Sequence, residues 1–196
     1  MRSALWLAAQ WLLAPSFNTK IRRVVREQMA PLGTGRWLDV GCGPRSLVAQ
    51  ALPGTLAGID NVTELLHETQ RDGVICVCAS AAALPFTAAS FDGVVCFGLL
   101  HHLNDTDADL ALVEMRRVLR TDGIILLLDN VKPSSGVRRP FAALLRALDR
   151  GGHIRTEDAL RRLLARRGFH LGPRFTYSWV GLEGCWAKLA DRENQS

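Results

Sequence analysis

Two short stretches of this chain carry residue types suited to holding a nucleotide, and a third could move a proton. The first is Asp39-Val40-Gly41-Cys42-Gly43-Pro44, where an apolar run stops at a glycine-rich loop. Glycines there let a ligand approach the backbone closely, and a following helix offers free N–H groups. The second is Asp60, which ends the next apolar run. A carboxylate about twenty residues beyond a glycine loop can accept both hydroxyls of a ribose. The third is His101-His102, after a later apolar run. Imidazole titrates near neutrality and can serve as a general base. The same pair could instead only shape its loop by hydrogen bonding, and both readings stand.

Metal chemistry is not expected. Cys42, Cys76, Cys78, Cys96 and Cys185 form no CxxC pair, and no histidine stands at zinc-finger spacing from them. Cys76, Cys78 and Cys96 lie in apolar runs, where cysteine acts as a small hydrophobe. Unpaired thiols suit a reducing cytoplasm.

The groups that carry chemistry need elements to position them. Short apolar runs over 36–40, 55–59, 74–78, 91–97 and 124–128 alternate with helix-like segments. One such segment covers 46–52. Asn61 and Glu64 resemble a capping box opening another; Thr106 and Asp109 resemble a third, running to Leu119 and closed by Thr121-Asp122-Gly123. Val94-Val95-Cys96-Phe97 is continuously apolar, which points to a sheet covered on both faces. Strand–helix alternation then gives parallel, right-handed crossovers and an α/β, Rossmann-like doubly wound sheet. Further on, 140–148 and 156–167 read as helices, the second with Leu160, Leu163 and Leu164 on one face. Phe175 to Trp179 alternates, 181–184 turns and 185–189 returns, a β-hairpin that closes the sheet. Ligands of such a sheet bind beyond the carboxyl ends of its strands, so the residues just after each run are the informative ones.

At 196 residues there is room for one domain. The net charge of +5 comes largely from arginines scattered along helix-like segments, read as solvated faces. No basic block with interleaved aromatics is present, so nucleic acid is not an expected partner. The apolar stretch 4–14 is too short to span a bilayer. It is expected to belong to an N-terminal helical cap over 1–30, with Trp6 and Trp11 on the covered side. The secondary reading lays this helix on a membrane surface, because Lys20, Arg22, Arg23 and Arg26 follow it. The expected location is therefore cytoplasmic, with peripheral membrane contact as the alternative; oligomeric state is left open.

Several motifs in order make the reading more specific. Leu38-Asp39-Val40-Gly41-Cys42-Gly43, Gly58-Ile59-Asp60, Ala83-Leu84-Pro85-Phe86, Ser90-Phe91-Asp92, Leu99-Leu100-His101-His102-Leu103 and Arg117 to Gly123 succeed one another between Trp37 and Asn130. This span resembles class I S-adenosylmethionine (SAM) dependent methyltransferases of the small-molecule type, in the type 11, ubiquinone-biosynthesis-like group. The resemblance implies a seven-stranded sheet, mostly parallel with an antiparallel C-terminal hairpin strand, and a SAM-binding domain over 31–196. It implies SAM as cofactor, S-adenosylhomocysteine as product and a small-molecule acceptor as partner, and the leading reading makes that acceptor lipophilic. By the same resemblance, the backbone around Gly41, Cys42 and Gly43 packs against the methionine and ribose, and Asp39 orients the amino group. Asp60 binds the ribose hydroxyls, Asn61 lies beside the adenine, Ser80 and Ala81 sit at its edge, and Phe97 completes the cofactor set.

Two residues depart from the family pattern. Arg45 stands where a third glycine is usual, and Ser80 where an aspartate usually meets the adenine amino group. A serine hydroxyl accepts the same hydrogen bond more weakly. His101 or His102 is needed as a base only if the acceptor loses a proton late; His153 and Tyr177 are further candidates, and Asp92 reads as a strand-start residue. Phe175, Trp179 and Trp186 either line an acceptor pocket or belong to the core, and Ser134-Ser135-Gly136 has the composition of a lid. Competing functions are SAM binding without methyl transfer and RNA methylation. A nicotinamide oxidoreductase is set aside, because Ser46 stands where the fingerprint wants glycine or alanine and no Tyr-x-x-x-Lys pair is present.

Overall fold

Continuous apolar runs become strands whose two faces are both covered. The structure, a computed structural model, describes residues 17–132, 152–176 and 183–189. Its elements in chain order are α1 (Phe17–Met29), β1 (Gly35–Val40), β2 (Gly54–Asp60), α2 (Thr63–Gln70), β3 (Ile75–Cys78) and β4 (Phe91–Phe97). A 3-10 turn at Leu100–His102 follows, then α3 (Asp105–Val118), β5 (Leu119–Asn130), α4 (Glu157–Ala165), β6 (Phe169–Thr176) and β7 (Glu183–Leu189). The sheet has seven strands in the order β3-β2-β1-β4-β5-β7-β6. β1, β2, β3, β4 and β5 pair in parallel, while β7 runs antiparallel to both β5 and β6. The order reverses between β1 and β4, which puts the switch point at their carboxyl ends.

Alternate residues of each central strand feed two separate cores. Leu38, Val40, Val94, Cys96, Ile125 and Leu127 pack with Leu112, Met115, Leu160 and Leu164 of α3 and α4. Trp37, Val95, Leu126 and Leu128 point the other way, to Ile21, Val25 and Met29 of α1. A strand buried on both faces has no polar side to show, so alternation disappears from its sequence.

Four local expectations are corrected. Residues 46–52 do not form a regular helix but a series of turns, with Ala51 N–H on Val48 O at 2.8 Å. Ser46 Oγ is committed to Asp39 at 2.7 Å and accepts from Val48 N at 3.3 Å, a local bond that competes with helix formation. Arg22 of α1 takes the Leu47 carbonyl at 3.1 Å, removing an acceptor a helix would use. Asn61 is not the cap of α2: the helix starts at Thr63, and the turn before it closes on Asp60, whose Oδ1 accepts from Val62 N at 3.0 Å.

Asn104 rather than Thr106 caps α3, accepting from Asp107 N at 2.9 Å while its own amide donates to Asp107 Oδ2. Asp109 is instead paired with Arg167. Finally, α3 ends at Val118, and Thr121 to Gly123 lie inside β5, whose pairing with β4 slips between Phe91 and Gly93.

The two strands pair antiparallel as expected, the first starting earlier, at Phe169, and the second at Glu183, so that Glu183 and Gly184 belong to β7 rather than to the turn. The expectations for 4–14, Ser134 to Gly136, 140–148, Tyr177 and Trp179 lie outside the described residues. Among the described residues, no helix is long and apolar enough to cross a membrane.

Candidate functional site: a nucleotide cradle and a buried histidine

The glycine loop is pinned from three sides. Gly41 N and Cys42 N both donate to Ile59 O, at 2.8 and 3.0 Å, which ties the end of β1 to β2. Gly43 N donates to Asp60 Oδ2 at 3.1 Å, and Thr69 Oγ1 of α2 donates to Gly43 O at 2.7 Å. Gly41 and Gly43 have φ of +78° and +60°, conformations that L side chains rarely adopt. A side chain on Gly43 would meet nothing within 4 Å, so the loop presents bare backbone to open space there. The Cys42 side chain turns inward against Gly58, and burial pushes its thiol well above the ordinary range. Only its backbone faces the loop.

Two carboxylates frame that loop. Asp60 uses one oxygen on Gly43 and the other on Val62, and each carboxylate oxygen retains a second acceptor direction. Asp39 is only 3% exposed. Burial pushes its pKa up to about 6, the Ser46 hydroxyl opposes that rise, and the nearby charge of Asp60 adds to it. Arg45, the departure from the expected glycine, is exposed, as are Asn61 and Ser80. Ser80 Oγ accepts from Ala82 N at 3.2 Å, and Ala81 beside it is buried. Phe97 lies edge-on to Trp186, at 5.7 Å between ring centres, and Trp186 stacks on Phe175 at 6.0 Å; all three pack on the α1-side core.

The two histidines separate. His102 is exposed, while His101 is buried at 3% exposure, with Nδ1 2.5 Å from Asp129 Oδ1 and Nε2 3.4 Å from Asn130 Nδ2. Asp129 is the last residue but one of β5, closing its apolar run much as Asp60 closes β2, and that position was its legible signal. His153 contributes its backbone, donating to His101 O at 3.0 Å, with its side chain exposed. Asp92 is structural: its carboxylate takes Arg36 N at 2.8 Å and Arg120 at 2.7 Å, bonds that lower its pKa. Ala83 to Phe86 is held by an ion pair the sequence did not flag. Glu114 accepts from Leu84 N at 2.7 Å, and Arg117 donates to Phe86 O and Leu84 O at 2.7 and 3.0 Å. Among the described residues no metal-binding cluster occurs.

Residues 38–127 match the methyltransferase domain family. Within the chain, 75 residues are 45% identical to the ubiquinone/menaquinone biosynthesis C-methyltransferase UbiE of Hahella chejuensis, covering 38% of this chain and 29% of that protein. The chain spans only 29% to 50% of the length of the first curated relatives it matches.

The chain also shares its fold with solved structures. A SAM-dependent methyltransferase of Thermotoga maritima, described as a possible histamine N-methyltransferase, superposes with a TM-score of 0.71 at 13% identity, covering 96% of this chain and 97% of that one. Magnesium protoporphyrin IX methyltransferase of Synechocystis, with S-adenosylhomocysteine bound, gives 0.64 at 18% identity over 87% and 83%. The fold is therefore the class I methyltransferase fold, and the cofactor of this family is SAM. The domain's residues fit that cofactor: a bare, positive-φ glycine faces open space beside a carboxylate with spare acceptor capacity.

Proposed function

We propose that this protein transfers the methyl group of SAM to a small, lipophilic acceptor. The observation that carries the reading is the Gly43–Asp60 contact at the carboxyl ends of β1 and β2, which holds bare loop backbone against a carboxylate at the switch point of the sheet. When bound, SAM supplies an electrophilic methyl on a sulfonium. The chain's own work is to align, exclude water and take up any proton released.

In this reading Gly41, Cys42 and Gly43 offer backbone to the methionine and ribose. Asp60 accepts the ribose hydroxyls and Asp39 faces the amino group, while Asn61, Ser80 and Ala81 border the adenine. Phe97 supports the pocket from behind, through its contact with Trp186. His101, rather than His102, is the base: Asp129 accepts its Nδ1–H, and Nε2, on the side of the Asn130 amide, takes the proton. UbiE's name describes methylation at carbon in quinone synthesis. We take from it only the expectation of a ring-bearing, apolar acceptor. Lys20, Arg23 and Arg26 are exposed along α1. They support a cytoplasmic protein able to rest on an anionic membrane surface where such an acceptor resides.

The test is turnover. Purified protein incubated with SAM and a panel of hydroxylated aromatic acceptors should release S-adenosylhomocysteine only when an acceptor is present. Tight SAM binding with no release across the panel and across a lipid extract would favour a protein that binds SAM without transferring its methyl group.

A further inference from the structure

The histidine turn is clamped by a residue from a distant part of the chain. Arg155 lies just before α4 and is 8% exposed. Its Nη1 donates to Leu100 O at 2.7 Å and its Nη2 to Leu103 O at 2.9 Å, so one guanidinium grips both ends of the turn that carries His101. Nε and Nη2 reach Asp105 Oδ1 at 2.9 and 2.7 Å, and a longer bond goes to His153 O. The ion-pair partner is exposed while the guanidinium is buried. Backbone bonds complete the grip: His153 N donates to His101 O at 3.0 Å, and Lys132 N donates to Arg155 O at 2.9 Å, just beyond the end of β5.

We propose that Arg155 is a positioning residue that fixes the orientation and tautomer of His101. The imidazole is held between Asp129, which only accepts, and the Asn130 amide nitrogen, which only donates. These two contacts favour the ring with its proton on Nδ1 and its lone pair on Nε2. The selection depends on where the Leu100–Leu103 turn sits relative to the end of β5, and Arg155 bridges the two, binding the turn by its side chain and Lys132 by its backbone. Arginine suits the task because its planar fork satisfies several acceptors in fixed directions, which a lysine cannot do. The catalytic consequence rests on the reading of His101 as the base; the geometric consequence does not.

Long-range proton–nitrogen spectra of the 15N-labelled full chain read the tautomer directly, with H101Q assigning the His101 signal among the five histidines. The wild-type signal should show a protonated Nδ1 and an unprotonated Nε2. R155M should lose this signature to an averaged imidazole, and R155K should fall between. Both variants should bind S-adenosylhomocysteine within about threefold of wild type, because the glycine loop is built by other contacts. If R155M does not fold, R155K decides. A wild-type His101 signature in a folded variant would overturn the proposal, and so would parallel loss of S-adenosylhomocysteine binding, which marks Arg155 as a general structural residue. Should H101Q leave turnover unchanged, the base assignment fails while the tautomer result keeps its meaning.

Discussion

Gly43 donates its backbone N–H to Asp60 Oδ2 across 3.1 Å, joining the loop after β1 to the last residue of β2. Without that bond, a positive-φ glycine in an exposed loop would sample many conformations. With it, the bare backbone and the carboxylate are held in one geometry before any ligand arrives. Preorganisation of this kind lowers the ordering cost of binding.

The first prediction concerns Gly43. Its φ of +60° disfavours any side chain, although a Cβ would meet no atom. G43A should therefore cost about 1 kcal/mol of stability from backbone strain. Its methyl group would stand in the open space that the bare backbone now faces, so S-adenosylhomocysteine affinity should fall by more than that strain accounts for. Melting curves and calorimetric titration, compared on the same preparation, check the difference.

Asp39 makes a prediction with two opposite signs. Burial raises its folded pKa to about 6, above the value of an unfolded aspartate near 4. Between those values the folded state holds the extra proton. The contribution is thus present below roughly pH 4 and is lost as pH rises to about 6. D39N, with no charge to desolvate, should stabilise the protein by about 1–2 kcal/mol at pH 8 and flatten the dependence between pH 4 and 6. The same variant should bind SAM more weakly. Denaturant melts at pH 4 and pH 8 measure the first effect, and a stability gain independent of pH would contradict it.

The two histidines should respond differently. H101Q should lower turnover of a hydroxylated acceptor by about 10²–10⁴-fold with S-adenosylhomocysteine binding retained, the range for a lost general base. H102Q should cost much less, because His102 is exposed and meets the His101 ring, 4.2 Å between centres, rather than Asp129. Steady-state assays on both variants decide; equal losses would remove the distinction.

A fourth prediction tests the hold on the Ala83–Phe86 segment. E114Q weakens both the bond to Leu84 N and the partnership with Arg117, whose guanidinium holds two carbonyls of that segment. Loss of roughly 1–2 kcal/mol is expected from thermal melts, more than an exposed ion pair gives, because the bonds end on backbone groups.

Legibility in the sequence followed the reach of the interactions. β1, β2 and β4 could be read because burial on both faces leaves continuous apolar runs, and Asp60 could be read because position after a strand is a topological property. The segment after Gly43 could not. Its helix is replaced by turns through Ser46 bonding to Asp39 and Arg22 arriving from α1, contacts between residues that no local pattern links. The cap of α3 moved from Thr106 to Asn104 because both residue types can cap and only the tertiary path selects one. Arg155 left no trace at all: most of its acceptors are main-chain carbonyls, which every sequence has.

Calorimetric titration of the wild-type chain and D60A with S-adenosylhomocysteine tests the cradle most directly. The wild type should bind at one site, and D60A should bind at least about tenfold more weakly, since two charge-assisted hydrogen bonds to the ribose are lost. Equal affinity in the two proteins, or binding of NAD in place of S-adenosylhomocysteine, would contradict a SAM site at the ends of β1 and β2.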